Sequence, residues 1–400
     1  MKFIENLNEK EYREFWSKTP NNHFMQSYEW GQIQKANRNQ EPCYVGLKDD
    51  DGHIVAAALL LKKETPLNMC YFYSPRGFTM DFSDKKILTE FTKELKNYLK
   101  KENAIYLKLD PPIMYQEIDE EAKRIEGGQN NYKIFNNFNN LGYKHKGFNK
   151  LYERNQPRYT FRTYFNKYGN WDEIEKSFSK SFARPLKRSY NYDIEVYEGK
   201  EVKTFHELIS LISEKDGFSA YSYDYYNSVF EELKKQGLVK VFNAKINPSK
   251  IIEKFTNSLE KEKNEDRKVK IQKDIDFFKE IEKDHKKEYT CASLICTYST
   301  SGAWSLYIGN DDVAAYTGTV NRLYYEFMKD AFYNNYEYAD LFGTVGDPHT
   351  KYKNLAGIYE YKRKIGGDYI EFIGEFDLIN KPLWYIILPI LLKIYRKIKK

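Results

Sequence analysis

The sequence predicts a mixed α/β protein of two similar domains, with a helical hairpin inserted in the second domain. A chain of 400 residues exceeds what one hydrophobic core usually organises. The same order of strand, strand, helix and strand occurs twice, and a charged stretch between the early strands of the second copy carries apolar residues at helical spacing. Together these three observations predict two copies of one α/β unit.

The first copy consists of predicted strands at 54–61 and 70–73, an amphipathic helix, and a strand at 104–110 that ends in Asp110. The second copy has strands at 292–298, 303–308 and 336–341, with Asp340 in the last one. The helices have the apolar faces Ile87, Leu88, Phe91, Leu95, Tyr98 and Leu99, and Leu323, Tyr324, Phe327, Met328, Ala331 and Phe332. Chance similarity of generic α/β patterns is the alternative.

The inserted segment, residues 248–288, is predicted to form an antiparallel helical hairpin. Its apolar residues are Ile251, Ile252, Phe255, Leu259, Val269, Ile275, Phe278 and Ile281, with a polar interval at 264–266. Residues 250–288 hold twelve Lys and Arg against eleven Asp and Glu, a balance that argues against simple attraction to phosphate. A rigid protrusion for packing or dimer contact is therefore the plainer interpretation of this hairpin.

The distribution of charge and the cysteine content give further information about the class of protein. The net charge is only +6, yet residues 144–188 contain twelve basic and four acidic side chains. The four cysteines show no Cys-x-x-Cys spacing and follow no signal peptide, so we expect reduced thiols in the cytoplasm, with neither a disulfide framework nor a metal site.

The most informative motif is 357–378, where Lys362, Arg363 and Lys364 lead into Gly366 and Gly367. Alternating aromatic and aliphatic residues predict strands on both sides of a turn, and the glycines permit positive φ or close approach of a ligand. The stretch resembles the C-terminal motif of the Fem family (FemABX), the tRNA-dependent ligases that build peptidoglycan cross-bridges. The resemblance implies tandem acetyltransferase-like (GNAT) domains, here 1–150 with 370–400 and 151–369. It also implies a helical arm at 248–288, which in several relatives is proposed to contact tRNA.

The implied reaction passes an amino acid from aminoacyl-tRNA to a side-chain amine on the stem peptide of a peptidoglycan precursor. An aminoacyl ester is already activated, so no cofactor, metal or enzyme nucleophile is expected. Lys362 matches the lysine of the family and would stabilise the oxyanion. Asp110, in a matching strand end, would accept a proton or orient the amine. A solvated lysine on a strand end and a turn aspartate are the plainer interpretations.

Other residues match substrate-binding positions of the family. Lys35 ends a segment, 26–35, that resembles the family's opening signature, and would pair with an anionic group of the precursor. Tyr221 stands where relatives place Arg, which puts one phosphate contact in doubt. Tyr225 and Tyr307 match tyrosines that line the precursor channel, although any of the 36 tyrosines is ordinary packing by default.

The segment 177–188 matches a basic helix of the family. Arg184, Lys187 and Arg188, interleaved with aromatic residues, suit the acceptor end of tRNA, and a merely solvated basic face is the alternative.

The tail has an apolar run at 383–392 followed by five cations within eight residues. The run is too short to span a bilayer, so it predicts either contact with the inner face of the plasma membrane or packing on its own domain.

The predicted function is therefore that of a tRNA-dependent aminoacyltransferase acting on lipid II or UDP-MurNAc-pentapeptide. Two rivals remain: a coenzyme A-dependent N-acyltransferase, for which no Gly-rich diphosphate loop is found, and a non-enzymatic RNA-binding or membrane-surface adaptor.

Overall fold

The computed structural model of the protein describes residues 1–285 and 287–398; the side chains of residue 216 and of residues 391–398 are outside that description. The helices are α1 (Glu9–Lys18), α2 (Tyr28–Arg38), α3 (Lys85–Lys101), α4 (Tyr132–Asn140), α5 (Trp171–Ser177), α6 (Lys180–Ser189), α7 (Lys203–Asp216), α8 (Tyr223–Lys234), α9 (Pro248–Lys261), α10 (Glu265–Asp284), α11 (Asp312–Thr317), α12 (Thr319–Tyr333), α13 (Lys353–Ile365) and α14 (Pro382–Ile398). The strands are β1 (Lys2–Ile4), β2 (Glu41–Lys48), β3 (Ile54–Thr65), β4 (Met69–Ser74), β5 (Thr79–Met80), β6 (Ala104–Leu109), β7 (Met114–Glu117), β8 (Tyr143–His145), β9 (Tyr159–Tyr164), β10 (Glu195–Glu198), β11 (Val239–Ile246), β12 (Tyr289–Tyr298), β13 (Gly302–Asn310), β14 (Tyr338–Asp340), β15 (Asp368–Phe372) and β16 (Phe376–Ile379).

Two mixed sheets of the same design form the core of the protein. The first has the order β1-β2-β3-β4-β6-β16-β8, and the second the order β10-β11-β12-β13-β14-β9-β15-β7. In the first sheet β4 and β6 are parallel and joined through α3, and in the second β13 and β14 are parallel and joined through α12. The predicted repeat of strand, strand, helix and strand is therefore confirmed.

Each half of the chain contributes a strand to the sheet of the other half. Beside β6 in the first sheet lies β16, from the C-terminal end of the chain. Beside β14 in the second sheet lies β9, which follows β8 of the first sheet in sequence, and β7 from the first third of the chain pairs with β15 at the far edge. The chain therefore crosses between the sheets several times, which ties their relative position to backbone pairing.

The predicted hairpin at 248–288 is confirmed as α9 and α10. Asn247 and Asn264 cap the two helices by accepting hydrogen bonds from the N–H groups of Lys250 and Arg267. Ile251, Ile275 and Phe278 are buried at the base of the hairpin, while Val269 toward its tip is exposed.

The prediction of a strand at 357–365 was wrong, because this segment is the helix α13. The apolar positions Leu355, Ile358 and Tyr359 also fit helical spacing, and a short run cannot separate the two periods. The cations of its last turn followed by Gly366 are a helix C-terminal signal that outweighs the alternation. Gly366 and Gly367 do take positive φ, +101° and +89°, and a Cβ at Gly367 would lie 2.8 Å from the Arg162 carbonyl oxygen.

Helix α14 packs on the first sheet through Trp384, Tyr385 and Leu388, next to Met69 and Ile105. Across the part of the chain that the structure describes, no helix is both long enough and apolar enough to cross a bilayer.

Candidate active site

A cleft of about 1550 Å³ opens between the two halves of the molecule. Trp30, Gln34 and Arg38 of α2 line it from the first half, together with Tyr71 and Tyr73 of β4. The second half contributes residues of α8, β13 and α13 and the turn after β14. A cleft of this size, lined by aromatic rings and a few cations, suits an extended substrate with polar groups.

Lys362 projects from α13 into the wall of this cleft. Its Nζ donates hydrogen bonds to the carbonyl oxygens of Phe342 and Gly343, the latter at 2.7 Å. These contacts use two of the three N–H bonds of an ammonium group and leave the third for a ligand. Burial lowers the pKa of Lys362 to about 7, against the opposing effect of the Asp340 carboxylate. The group therefore exchanges its proton close to neutral pH.

The turn that holds Lys362 is shaped by the buried Asp340. Its carboxylate accepts the N–H of Phe342 at 2.7 Å, and Phe342 takes a left-handed conformation with φ +53°. Arg162 donates to the same carboxylate at 2.9 and 3.0 Å, and Thr160 donates to it at 2.6 Å. A non-glycine residue held at positive φ is typical of functional sites. Here the turn directs two carbonyl oxygens at the lysine.

Asp110 lies behind the cleft wall rather than in it. Its carboxylate accepts the Tyr73 hydroxyl at 2.7 Å and the N–H of Arg76 at 2.7 Å. Burial raises the pKa of Asp110 to about 6, while Arg76 opposes this shift. Because Tyr73 lines the cleft, Asp110 can reach a substrate only through that hydroxyl.

Three predicted tyrosines meet on one side of the cleft. The rings of Tyr221 and Tyr225 have centroids 4.3 Å apart, and the hydroxyls of Tyr225 and Tyr307 are 3.4 Å apart. The guanidinium of Arg38 lies over both rings, 5.1 Å from the centroid of Tyr221 and 5.5 Å from that of Tyr225. The structure brings these tyrosines together with a cation that the sequence reasoning missed.

Lys35 lies outside the cleft wall. Its side chain is 54% exposed, and its Nζ pairs with Glu41 at 2.8 Å. Trp30, Gln34 and Arg38 follow one another at four-residue intervals on one face of α2, and Lys35 falls on the next face. Helical spacing from Trp30 was the signal that could have identified Arg38.

The three predicted tRNA-binding residues, Arg184, Lys187 and Arg188, lie exposed on α6, which packs beside α12 and α13. We call them the α6 cations. The Ser179 hydroxyl at the start of α6 donates to the Lys364 carbonyl at 2.6 Å. The side of α6 that is turned inward is therefore fixed to the helix that carries Lys362.

The basic excess at 144–188 is partly neutralised inside the protein. Arg158 and Arg162 are buried and pair with Glu371 at 2.6 Å and with Asp340. Lys146 and Lys167 pair with Asp377 and Asp368. The cationic surface of this segment is thus smaller than its composition suggests.

The described residues also contain one group with the spacing of metal ligands. Asp49, Asp51 and His53 bring ligand atoms within 4.8 Å of one another in the turn between β2 and β3. The turn is largely exposed and lies outside the cleft, so we assign it no part in the site.

Comparison with known proteins gives these features a context. The FemAB family model matches residues 7–274 and 262–393. The lipid II:glycine glycyltransferase of Staphylococcus haemolyticus is 28% identical over 415 residues, covering 96% of this chain and 94% of that protein. The aminoacyltransferase FemA of Staphylococcus epidermidis is 28% identical over 435 residues, covering 100% of this chain and 99% of that protein.

Solved structures agree on the fold. The crystal structure of FemX superposes with a TM-score of 0.79 at 24% identity, covering 97% of this chain and 100% of the other. A tandem GNAT protein from the clavulanic acid biosynthesis pathway superposes with a TM-score of 0.50 at 8% identity, over 95% and 99% of the two chains. The predicted pair of tandem GNAT-like domains is therefore confirmed. With the family model matching nearly the whole chain, this protein belongs to the FemAB family and is an aminoacyltransferase.

Proposed function

We propose that the protein transfers an aminoacyl group from tRNA to the side-chain amine on the stem peptide of a peptidoglycan precursor, forming part of the interpeptide bridge. In this reaction the amine nitrogen attacks the ester carbonyl carbon, the bond to the tRNA oxygen breaks, and the amine proton leaves as that oxygen takes one up. Because the ester is already activated, the enzyme needs only to position the reactants and stabilise the oxyanion. The names of the glycyltransferase and FemA relatives support this class of reaction.

The observation that carries the proposal is the environment of Lys362. The carbonyls of Phe342 and Gly343 fix its nitrogen at the cleft wall and leave one N–H bond for the substrate. A donor held in this way is already oriented where negative charge develops on the ester oxygen. Its pKa of about 7 allows it to carry the charge, or to give up a proton, near neutral pH.

The precursor would bind along the opposite wall. Arg38 offers a planar fork of donors that suits a diphosphate or a carboxylate. It lies over Tyr221, the residue that replaces the arginine of the relatives, so a guanidinium still faces this part of the cleft. Tyr225 and Tyr307 complete the wall. We propose this group, rather than Lys35, as the site for the anionic part of the precursor.

The acceptor arm of tRNA would lie on the α6 cations. Asn321 joins α6 to the cleft, since it donates to the Phe182 carbonyl at 3.1 Å and accepts from the hydroxyl of Tyr361, a cleft residue. This placement supports delivery of the aminoacyl end from the α6 side while the precursor occupies the α2 side.

The test offers the purified chain a mixture of charged tRNAs with a lipid-linked or a UDP-linked precursor, and reads the added mass. We expect one amino acid on the precursor, which identifies the transferred residue, and none with Lys362→Met. Lys364→Met, two residues along the same helix, is the matched control and should transfer normally. Transfer from acetyl-coenzyme A without tRNA would instead support the N-acyltransferase alternative. Binding of tRNA without any transfer would support an adaptor.

A further inference from the structure

Helix α14 has a second apolar face that points away from the protein. Leu383 and Ile386 are each 68% exposed and Ile390 is 56% exposed. Their spacing of three and four residues places them on one line along the helix. We call these three residues the outer stripe.

The outer stripe is held in place by the inner face of the same helix. The Tyr385 hydroxyl donates to Asp377 at 2.6 Å and accepts from the Lys146 ammonium at 2.6 Å. Trp384 and Leu388 pack against the first sheet beside it. Because both polar and apolar contacts anchor α14, the exposed apolar face is a fixed feature of the folded surface.

The sequence that carries the outer stripe has charge of one sign. Residues 378–400 contain six Lys and Arg and no Asp or Glu. The exposed Lys144 adds a cation whose nitrogen is 5.7 Å from the centroid of the Tyr385 ring. An apolar face with aromatic residues at its edge and cations alongside is the pattern of helices that lie in an anionic membrane interface.

Helix α14 also lies next to the cleft wall. Tyr71 lines the cleft and stacks on Tyr106 with centroids 5.1 Å apart, and Tyr106 meets Tyr385 of α14 at 5.3 Å. The cleft wall and α14 therefore share one face of the first sheet. Three side chains are too few for a stable dimer, which buries about 800 Å² per partner.

We propose that the outer stripe rests on the surface of an anionic bilayer and thereby presents the cleft to an acceptor anchored in that bilayer. The lipid-linked nature of the acceptor rests on the proposed function, whereas binding to the bilayer does not. The helix lies on the membrane with its apolar residues among the acyl chains nearest the headgroups and its cations at the phosphates.

The experiment compares the wild type with the variant Leu383→Gln, Ile386→Gln, Ile390→Gln. The matched control is Leu211→Gln, Val269→Gln, which changes residues of similar exposure, 54% and 55%, on α7 and α10. Co-sedimentation uses vesicles of phosphatidylglycerol with phosphatidylcholine, and vesicles of phosphatidylcholine alone. We expect the wild type and the control to bind the anionic vesicles, and the stripe variant to bind them about tenfold or more weakly.

Transfer rates provide the second measurement. The stripe variant should act normally on the water-soluble UDP-linked precursor and about tenfold or more slowly on the lipid-linked one in anionic vesicles. Unchanged vesicle binding, or an equal loss on both precursors with a lower melting temperature, would overturn the inference. A dimer in light scattering that the variant dissolves would assign the stripe to a second copy of the chain. If no precursor is modified, the proposed function fails, and vesicle binding still decides the membrane inference.

Discussion

Replacing Lys362 by methionine should separate activity from stability. The substitution removes the donor proposed for the oxyanion but keeps an unbranched side chain that is only one atom shorter. Loss of one such donor costs on the order of 10²-fold to 10³-fold in the rate of the chemical step. Because the precursor would bind mainly through the α2 side of the cleft, we expect its dissociation constant to change little.

Stability should change little at pH 7, because two effects of the substitution oppose each other. Burial lowers the pKa of Lys362 from 10.5 to about 7, whereas the unfolded chain keeps its ordinary value. Between these two pKa values the unfolded chain holds a proton that the folded protein has lost, so wild-type stability rises with pH across this window. At pH 7 the buried lysine costs roughly 4 kcal/mol relative to a neutral side chain. The variant loses the donor to two carbonyls, which costs about 1–3 kcal/mol for each that stays unsatisfied.

The expected result at pH 7 is a methionine variant with nearly the same stability as the wild type and almost no activity. The free energy of unfolding of the variant, relative to that of the wild type, should fall by about 4 kcal/mol as pH rises from 7 to 10.5. Urea denaturation of both proteins at several pH values measures this difference, and single-turnover assays measure the rate. If the stabilities of the two proteins change with pH in parallel, the lowered pKa of a buried Lys362 is refuted. A rate within about threefold of wild type would refute the oxyanion role.

Three further predictions concern the remaining site residues. Arg38→Ala should raise the KM for the precursor about tenfold or more. Lys35→Ala should change this KM less than twofold, because Lys35 pairs with Glu41 at the surface. A larger effect of Lys35→Ala than of Arg38→Ala would restore Lys35 as the precursor contact. Triple alanine substitution of the α6 cations should weaken tRNA binding and flatten its salt dependence, and an unchanged slope would move the acceptor arm elsewhere. Activity should rise as pH increases through about 6, where Asp110 ionises. Asp110→Asn should remove this rise from the pH–rate profile. A rise that persists in the variant would belong to another group.

Local sequence patterns were sufficient to predict the architecture of the protein. The repeated unit and the hairpin of α9 and α10 could be predicted because each depends on periodicity over ten or more residues and on caps close in sequence. The segment of α13 was predicted to be a strand because its aromatic residues alternate, but the run was too short to distinguish a strand from a helix. Its three cations before a glycine carried the correct signal at the helix end.

The position of each side chain around α2 determines which of the two cations, Lys35 or Arg38, faces the cleft. Both are cations near the end of α2, and resemblance to the family selected the first. Helical spacing groups Arg38 with Trp30 on one face of α2, but only the tertiary structure shows that this helix meets α8 and that Arg38 lies over Tyr221.

By itself the sequence determined the class of the protein, its duplicated α/β plan and the residue types that its chemistry requires. The tertiary structure decided which of them meet. Lys362, Asp340 and Arg162 come from three elements, and the contact between Asp340 and Arg162 depends on the pairing of β14 with β9. Whether a charged side chain is buried in a pair or exposed to a ligand depends on such long-range contacts, which no local pattern records.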